Sequence, residues 1–228
     1  MLIPRLIRLH AVQQKVDRVE ELLRLARSAT GFFPEEEAAA LYRLARRAVN
    51  IGPIVEIGAY LGRSTLFLAA AAAAERRGVV FSVDHHRGSE EMQQGWPDHD
   101  PSLVDPLSGK MDSLARFRAA IKGARAQDLV ITVVGNSARV ASSWSSPAGL
   151  VFIDGGHGED VCWADYQGWA PHVAPSGFLA FHDVFPDPED GGRPPFECFE
   201  DAVCSGRFLE DVEAGNGSLR VVLRPPIR

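Results

Sequence analysis

From residue 51 onward, short apolar runs alternate with stretches in which apolar residues recur at helical spacing. Near-continuous hydrophobic strands that alternate with helices are typical of a parallel sheet covered on both faces. The apolar runs are Ile54–Ile57, Val79–Val83, Leu129–Val134, Leu150–Ile153 and Gly177–Phe181, and the helical stretches are Ser64–Arg76, Ser113–Ala124, Ala138–Ser142, Cys162–Ala170 and Phe196–Val203. Two last runs, Phe208–Val212 and Leu219–Leu223, flank a short Gly-Asn-Gly link that favours a hairpin. The pattern predicts an α/β fold with a doubly wound, mostly parallel seven-stranded sheet and an antiparallel last strand.

Two further helices are expected before the sheet. Residues 10–28 carry apolar side chains at helical spacing, and a second helix follows Pro34 and runs to about Val49. Its first turn holds three glutamates, which suit the positive end of the helix dipole. With 228 residues the chain suits one domain. We therefore expect N-terminal helices over 1–50, which cap the site or make a homodimer contact, and an α/β domain over 51–228.

The charge balance and the apolar segments exclude several classes of partner. A formal net charge of −6 argues against nucleic acid, because phosphate binding requires a basic face. The apolar run Ala69–Ala74 is too short to span a membrane. Arg5 and Arg8 interrupt the apolar positions near the start, so a secretory signal is not expected. The three cysteines have no metal-site spacing and suit reduced thiols. These features favour a cytoplasmic protein with a small-molecule partner and no membrane or nucleic-acid contact.

Residues 85–112 break the strand–helix alternation. The segment is polar, rich in proline, glycine and aspartate, and carries an isolated Trp96. A long insertion without regular structure in a compact domain is usually functional or disordered. We expect a lid over the substrate with Trp96 in contact with it; a passive surface loop is the alternative.

Ligand-type residues follow three successive strands. The turn Glu56–Thr65 has the spacing G-x-x-x-G, which lets the backbone approach a ligand but lacks the third glycine of dinucleotide binders. An acid at the end of the second strand can accept ribose hydroxyls, and an amide or hydroxyl after the third can meet an adenine edge. The sequence predicts an adenosine-containing ligand at this edge, on Glu56, Gly58, Ala59, Tyr60, Gly62, Ser64, Asp84, Asn136, Ser137 and Asp154.

The ends of the fourth and fifth strands carry a second group of polar residues. Asp154 and His157 follow one strand, and His182 and Asp183 follow the other. Carboxylates with one imidazole suit a divalent cation, which leaves His157 free to take a proton from a substrate hydroxyl. The alternative is structural: Asp154 caps the next helix, and His182 is a buried histidine with satisfied nitrogens.

The stretch Leu150–Val184 resembles a subfamily of class I S-adenosylmethionine-dependent methyltransferases. It contains Asp154-Gly155-Gly156-His157, then Asp165, Gly177 and His182-Asp183-Val184. That subfamily includes the metal-dependent O-methyltransferases of macrolide and aminocoumarin sugars, and the likeness extends over residues 50–224. It implies S-adenosylmethionine as cosubstrate and His157 as general base. It also implies a Mg²⁺ site formed by Asp154 together with an acidic pair later in the sequence. Here that pair is His182-Asp183, with one negative charge fewer. Glu56 either fixes the turn or meets the cosubstrate's amino group.

A second likeness concerns Asp84–Glu91, His182–Pro188 and Gly191–Pro195. These stretches are similar to those of mycobacterial sugar 1-O-methyltransferases that start methylmannose polysaccharide synthesis. The resemblance implies a 3-O-methylmannoside or oligosaccharide acceptor, whose neighbouring C1 and C2 hydroxyls suit chelation of one cation. The loop 187–195, with Arg193, is then expected to form a wall of the substrate pocket; a stiff turn before the next helix is the alternative.

Two other classes of protein remain open on the sequence. One is an oxidoreductase, either a nicotinamide enzyme or an iron oxygenase with a histidine–carboxylate set at Asp154, His182 and Asp183. The missing third glycine speaks against nicotinamide. The other is a non-catalytic adenosine-binding module, which has no need of His157 and Asp183.

Overall fold

A seven-stranded sheet forms the middle layer of the protein. The computed structural model describes residues 17–187 and 189–227. The strand order is β3-β2-β1-β4-β5-β7-β6; β1 to β5 are parallel, and β7 is antiparallel to both of its neighbours. This confirms the predicted doubly wound sheet with its antiparallel last strand. The strands are β1 Ile54–Ile57, β2 Val80–Asp84, β3 Val130–Val134, β4 Ala148–Ile153, β5 Val173–Phe181, β6 Leu209–Glu210 and β7 Arg220–Leu223.

Helices cover both faces of the sheet. The described part of α1 spans 17–28, and the predicted start of this helix at residues 10–16 lies outside the described residues. On one face α1 to α4 pack on the sheet, and on the other face α5 to α7 do so. No helix in the described ranges is long and apolar enough to cross a membrane. The other helices are α2 Glu35–Ala48, α3 Arg63–Glu75, α4 Leu114–Gly123, α5 Ser137–Ser142, α6 Glu159–Trp169 and α7 Arg193–Cys204.

Helix α3 packs beside α2 on one face of the sheet. Every residue from Ser64 to Ala74 is buried, and six of these residues are consecutive alanines. A helix that is apolar all round is one enclosed on all sides. Its small side chains let α2 approach closely, so the N-terminal helices become part of the same core.

The strand order reverses at β1, which has β2 on one side and β4 on the other. Ligands of open α/β sheets bind at such a point, beyond the carboxyl ends of the strands. The turns after β1 and β4 touch there: Gly58 has φ +84°, and a Cβ at this position would overlap the carbonyl oxygen of Asp154. Backbone packing therefore requires a glycine at this position, for which the sequence analysis predicted ligand approach.

The segment 85–112 is more ordered than its composition predicts. It contains 3₁₀ turns at Glu90–Met92 and Pro101–Leu103, and an antiparallel bridge joins Val104 to Met111. The apolar side chains of Leu103 and Met111 are buried against Leu61, and this cluster gives the segment a small hydrophobic core.

Strand β5 also differs from the prediction, because it begins at Val173 rather than at Gly177. The register against β4 shifts between Ala148 and Leu150, and Ser176 has φ +63°. This irregularity allows Pro175 within a strand, which the apolar pattern alone does not reveal.

The close approach at Gly58 makes a stability prediction. Gly58→Ala places a side chain in the left-handed region and against Asp154, so the free energy of unfolding should fall by about 2–4 kcal/mol. The control is Gly123→Ala, at the end of α4, where an added Cβ meets nothing within 4 Å. That change should be neutral or stabilise by up to about 1 kcal/mol. Urea unfolding of both variants is the measurement; equal effects would refute the packing argument.

Candidate active site

A cavity of about 540 Å³ opens at the carboxyl edge of the sheet. Its size is in the range of pockets that hold small organic ligands. The wall is built from the turn after β1, the ends of β2 to β5, the segment 85–112 and residues Thr30–Phe33 before α2. Of the residues predicted to bind ligand or cation, the wall contains Gly58, Ala59, Tyr60, Ser64, Asp84, Asn136, Ser137, Asp154, His157, His182 and Asp183.

Glu56 lies beneath the β1 turn and does not line the cavity. Its carboxyl group accepts hydrogen bonds from the hydroxyls of Ser64 at 2.7 Å, Thr65 at 2.6 Å and Ser82 at 2.7 Å. Burial raises the pKa of Glu56 to about 7, against the opposing effect of these three hydroxyls. Of the two roles open on the sequence, the geometry favours fixing the turn. Gly62 is the residue before α3, and its φ of +92° lies in the left-handed region that favours glycine.

Asp84 at the end of β2 holds the turn from the cavity side. Its Oδ2 accepts the backbone N–H groups of Ala59 and Tyr60, each at 2.9 Å, and its Oδ1 accepts the N–H of His86 at 2.7 Å. Tyr60 has φ +46°, a strained conformation that these bonds help to maintain. The acid predicted for the ribose is thus at the cavity wall, and it also determines the shape of the glycine turn.

The end of β3 presents Asn136 and Ser137 to the cavity. Asn136 caps α5 by accepting the N–H of Arg139 at 3.1 Å, and Ser137 Oγ accepts the indole N–H of Trp169 at 2.7 Å. Behind them lies Asp165, a buried cavity residue whose pKa burial raises to about 6. Asp165 belongs to the motif that carries the family resemblance, but the sequence alone assigned it no role.

The polar residues after β4 and β5 form one connected network. His182 Nδ1 lies 2.8 Å from Asp154 Oδ1 and 3.1 Å from Asp183 Oδ2. Its Nε2 lies 2.7 Å from Glu37 Oε2. Burial acts to lower the pKa of His182, but the carboxylates, Asp154 foremost, raise it well above its ordinary value. His182 is therefore a buried histidine whose two nitrogens both have partners, as the structural alternative anticipated. Asp154 does not cap α6, since Gly158 occupies that position.

Glu37 is a site residue that the sequence analysis missed. It belongs to the first turn of α2, yet it is buried, and Ser218 donates to it from both its backbone N–H, at 2.8 Å, and its hydroxyl. Burial acts to raise the pKa of Glu37, but the hydrogen bonds from His182 and Ser218 lower it. Three adjacent glutamates fit the helix dipole equally well, so the sequence offered no signal that singles one out.

His157 lies between two acids. Its Nε2 is 2.9 Å from Asp183 Oδ2, and its Nδ1 is 2.8 Å from Glu91 Oε1 on the segment 85–112. The hydrogen bond with Asp183 raises the pKa of His157, and the charge of Glu91 adds to the effect although burial opposes it. Burial acts to raise the pKa of Asp183, but the same contact with His157 helps to lower it. Glu91 is the second site residue that the sequence did not identify.

Asp154, His182 and Asp183 could hold a metal ion. Each offers one ligand atom, and these atoms all lie within 4.8 Å of one another. Two carboxylates and one imidazole whose far nitrogen meets a carboxylate are a donor set found around bound divalent ions. The residues present therefore fit a divalent cation at this position.

Arg193 and Trp96 stand apart from the cavity wall. Arg193 begins α7, donates to the carbonyl oxygen of Pro186 at 2.9 Å and stacks its guanidinium on Phe196. Trp96 is half exposed on the segment 85–112. The contact of either residue with a substrate stays a prediction.

Arg63 attaches residues 26–33 to the site. Its guanidinium donates to the carbonyl oxygens of Phe33 and Arg27, each at 2.8 Å, and Ala29 at 2.9 Å. This brings Phe32 to the cavity, where its ring stacks on Tyr60 with centroids 5.5 Å apart.

The buried carboxyl of Glu56 makes a pH prediction. Its pKa is about 7 in the fold against an ordinary 4.5, so the folded state holds the proton more tightly. Its contribution to stability is therefore largest below pH 4.5 and is lost as pH rises to 7, by roughly 3 kcal/mol. The difference in unfolding free energy between wild type and Glu56→Gln should fall by that amount from pH 4.5 to 7. Urea unfolding across this range tests it, with exposed Glu189→Gln as control; a constant difference would exclude the raised pKa.

Comparison with known proteins identifies the fold and the family. The profile of a family described as "Methyltransferase domain" matches residues 55–184. Cofactor-bound Rv0187 from MTB is similar at 16% identity, with 92% of this chain and 91% of that chain covered and a TM-score of 0.61. The O-methyltransferase NovP gives 14% identity, coverages of 82% and 79%, and a TM-score of 0.62. The O-methyltransferase TomG from Streptomyces achromogenes, in complex with SAM, is similar at 16% identity, with 91% of this chain and 89% of that chain covered and a TM-score of 0.58. These likenesses confirm the predicted methyltransferase fold, and the family match shows that this chain belongs to the methyltransferase domain family.

Proposed function

We propose that the protein is an S-adenosylmethionine-dependent O-methyltransferase that uses a divalent cation to bind a small hydroxyl acceptor. The observation that carries the proposal is the network at the ends of β4 and β5. There a histidine with a cavity-facing ring, His157, lies beside a set of donors suited to a cation, Asp154, His182 and Asp183. A non-catalytic nucleotide-binding module has no use for this combination.

The charge of the cavity supports S-adenosylmethionine rather than a dinucleotide. The donor carries a positive sulfonium and a positive amino group, whereas a dinucleotide carries two phosphates. The wall also contains one arginine, Arg63, and three histidines, His85, His157 and His182, and its acids outnumber these basic groups. An acidic pocket attracts the first ligand and repels the second. Among the described residues the wall has seven acids, Asp84, Glu90, Glu91, Asp98, Asp154, Asp165 and Asp183.

The residues divide into a donor half and an acceptor half. The Gly58 turn, Asp84 and the end of β3 would hold the adenosine, which leaves the methyl group directed toward Asp154 and His157. TomG was solved in complex with SAM, which supports this ligand for the shared fold. Methyl transfer requires in-line attack by the acceptor oxygen, so holding the two substrates in register supplies much of the rate.

His157 would act as the general base. Glu91 accepts from Nδ1 and so leaves Nε2 for the acceptor hydroxyl, once the contact of Nε2 with Asp183 opens. A divalent cation bound by Asp154, His182 and Asp183 would lower the pKa of that hydroxyl and orient it. Because Glu91 belongs to the segment 85–112, we propose that this segment closes over the acceptor and aligns the base.

The acceptor that we propose is a sugar hydroxyl, with the 1-hydroxyl of a 3-O-methylmannoside as the first candidate. Two of the three stretches that suggested it, Asp84–Glu91 and His182–Pro188, contribute residues to the cavity wall. Phe32, whose ring stacks on Tyr60, offers an apolar ring face at the wall of the same cavity, which suits the C–H face of a pyranose.

The test is calorimetric titration with S-adenosylmethionine and its demethylated product, with NAD as control, followed by a transfer assay. Micromolar binding of both sulfur compounds and none of NAD is expected. The transfer assay then uses three kinds of acceptor in the presence of divalent ions: methyl 3-O-methylmannoside, other mannosides and a simple catechol. Mass spectrometry detects the methylated product. Absence of binding by either sulfur compound would overturn the proposal.

Removal of the base gives a sharper prediction. His157→Gln should lower kcat by about 10²–10⁴-fold, because the proton loses its acceptor in the transition state. Binding of S-adenosylmethionine should not change, since His157 lies on the acceptor side. The control is His172→Gln, whose ring contacts the carbonyl oxygen of Ala141 outside the cavity. A His157 variant with full kcat would rule out this histidine as the base.

A further inference from the structure

We infer that the cation site selects a divalent transition ion that accepts nitrogen ligands, such as Mn²⁺, Co²⁺ or Zn²⁺, over Mg²⁺. The cause is Glu37, which holds His182 with Nδ1 directed at Asp154 and Asp183. This inference rests on the cation site of the proposed function. It concerns which ion the site takes, and it is separate from whether methyl transfer occurs.

The spacing of the three ligand atoms already suits one ion. Nδ1 of His182 is 2.8 Å from Asp154 Oδ1 and 3.1 Å from Asp183 Oδ2. Ligands about 2.1 Å from an octahedral ion lie about 3 Å from their neighbours, by simple geometry. An ion can therefore be held with small side-chain movements, with the imidazole as one of its ligands.

The orientation of the ring is fixed from behind. Glu37 Oε2 is 2.7 Å from Nε2, and Ser218 donates its backbone N–H to the other oxygen of Glu37 at 2.8 Å. The carboxylate of Glu37 can only accept, so it keeps a proton on Nε2. Nδ1 meets the carboxylates of Asp154 and Asp183, and an ion bound between them would displace the proton from Nδ1 and take this nitrogen as a ligand. Phe33 packs against the ring with centroids 4.6 Å apart and opposes its rotation.

The chemistry of the donors then separates the ions. Mg²⁺ requires near-ideal octahedral oxygen ligands and keeps several waters, whereas imidazole suits transition ions. Replacing a carboxylate by a neutral nitrogen removes charge that Mg²⁺ depends on. It offers a ligand that Mn²⁺, Co²⁺ and Zn²⁺ bind well. His182 thus weakens the site for one class of ion and keeps it for the other.

The experiment uses the full chain stripped of metal and titrated with Mg²⁺, Mn²⁺ and Co²⁺ by calorimetry. Mn²⁺ and Co²⁺ should bind at least about tenfold more tightly than Mg²⁺. Pulsed electron paramagnetic resonance of bound Mn²⁺ should show coupling to a nitrogen nucleus. That coupling should persist in His157→Gln and disappear in His182→Asn. Equal or tighter binding of Mg²⁺, or no nitrogen coupling in the wild type, would overturn the inference.

A variant of Glu37 tests the cause. Glu37→Gln should weaken Co²⁺ binding by about 10–100-fold, the usual effect of removing the partner of a metal-bound histidine. The matched control is Glu36→Gln, an exposed acid in the same turn of α2, which should leave Co²⁺ affinity unchanged. Equal affinities of the two variants would show that Glu37 does not orient the ligand. If Glu37→Gln does not fold, the nitrogen coupling of Mn²⁺ bound to the wild type tests whether His182 is a ligand.

The two proposals fail separately. Nitrogen-coupled Mn²⁺ binding without methyl transfer to any acceptor would remove the proposed function and leave the ion preference standing. Methyl transfer by stripped protein that binds no ion would remove the ion preference and the role of the cation, and would leave the methyl transfer itself standing.

Discussion

The close passage of the β1 turn over the end of β4 is the constraint on which the site depends. Gly58 lies so near the carbonyl oxygen of Asp154 that any side chain there would overlap it. Glu56 ties this turn from below to α3 and β2, and Asp84 ties it from the cavity side. Because the turn is held on both sides, the donor half of the cavity and the first residue of the acceptor half keep one relative position. The binding edge is thus a rigid part of the sheet.

Residues 26–37 depend on that edge, although they precede the sheet in sequence. Arg63 begins the helix after the turn and donates to carbonyl groups at the end of α1, which a helix leaves without partners. Glu37 meets His182 beyond β5 and Ser218 beside β7. One guanidinium and one carboxylate therefore join the N-terminal helices to two different parts of the site, and each of them uses backbone groups as partners.

The residues at strand ends could be predicted from the sequence because parallel strands bring their carboxyl ends together. Asp84, Asp154 and Asp183 line one cavity for that reason. Glu37 and Glu91 could not be predicted, since their contacts with His182 and His157 span 145 and 66 residues and leave no periodic signal. Trp96 was assigned to the substrate from the composition of the segment 85–112, and Arg193 from the resemblance of its loop to other sequences. Neither kind of argument fixes the position of a side chain in the fold, and both residues lie outside the cavity wall.

The pairing of His182 with Glu37 resolves the departure from the acidic pair that the family resemblance implies. A histidine in place of an acid removes one negative charge next to the proposed cation position. Glu37 returns one charge on the far side of the imidazole, 2.7 Å from Nε2. A charge moved outward by the length of a ring attracts any cation more weakly, but it polarises the imidazole and strengthens Nδ1 as a ligand. The exchange therefore lowers the electrostatic attraction on which hard ions such as Mg²⁺ depend, and it raises the donor strength of the nitrogen that transition ions bind. That trade requires the carboxylate to be buried and pinned, and Ser218 meets this requirement.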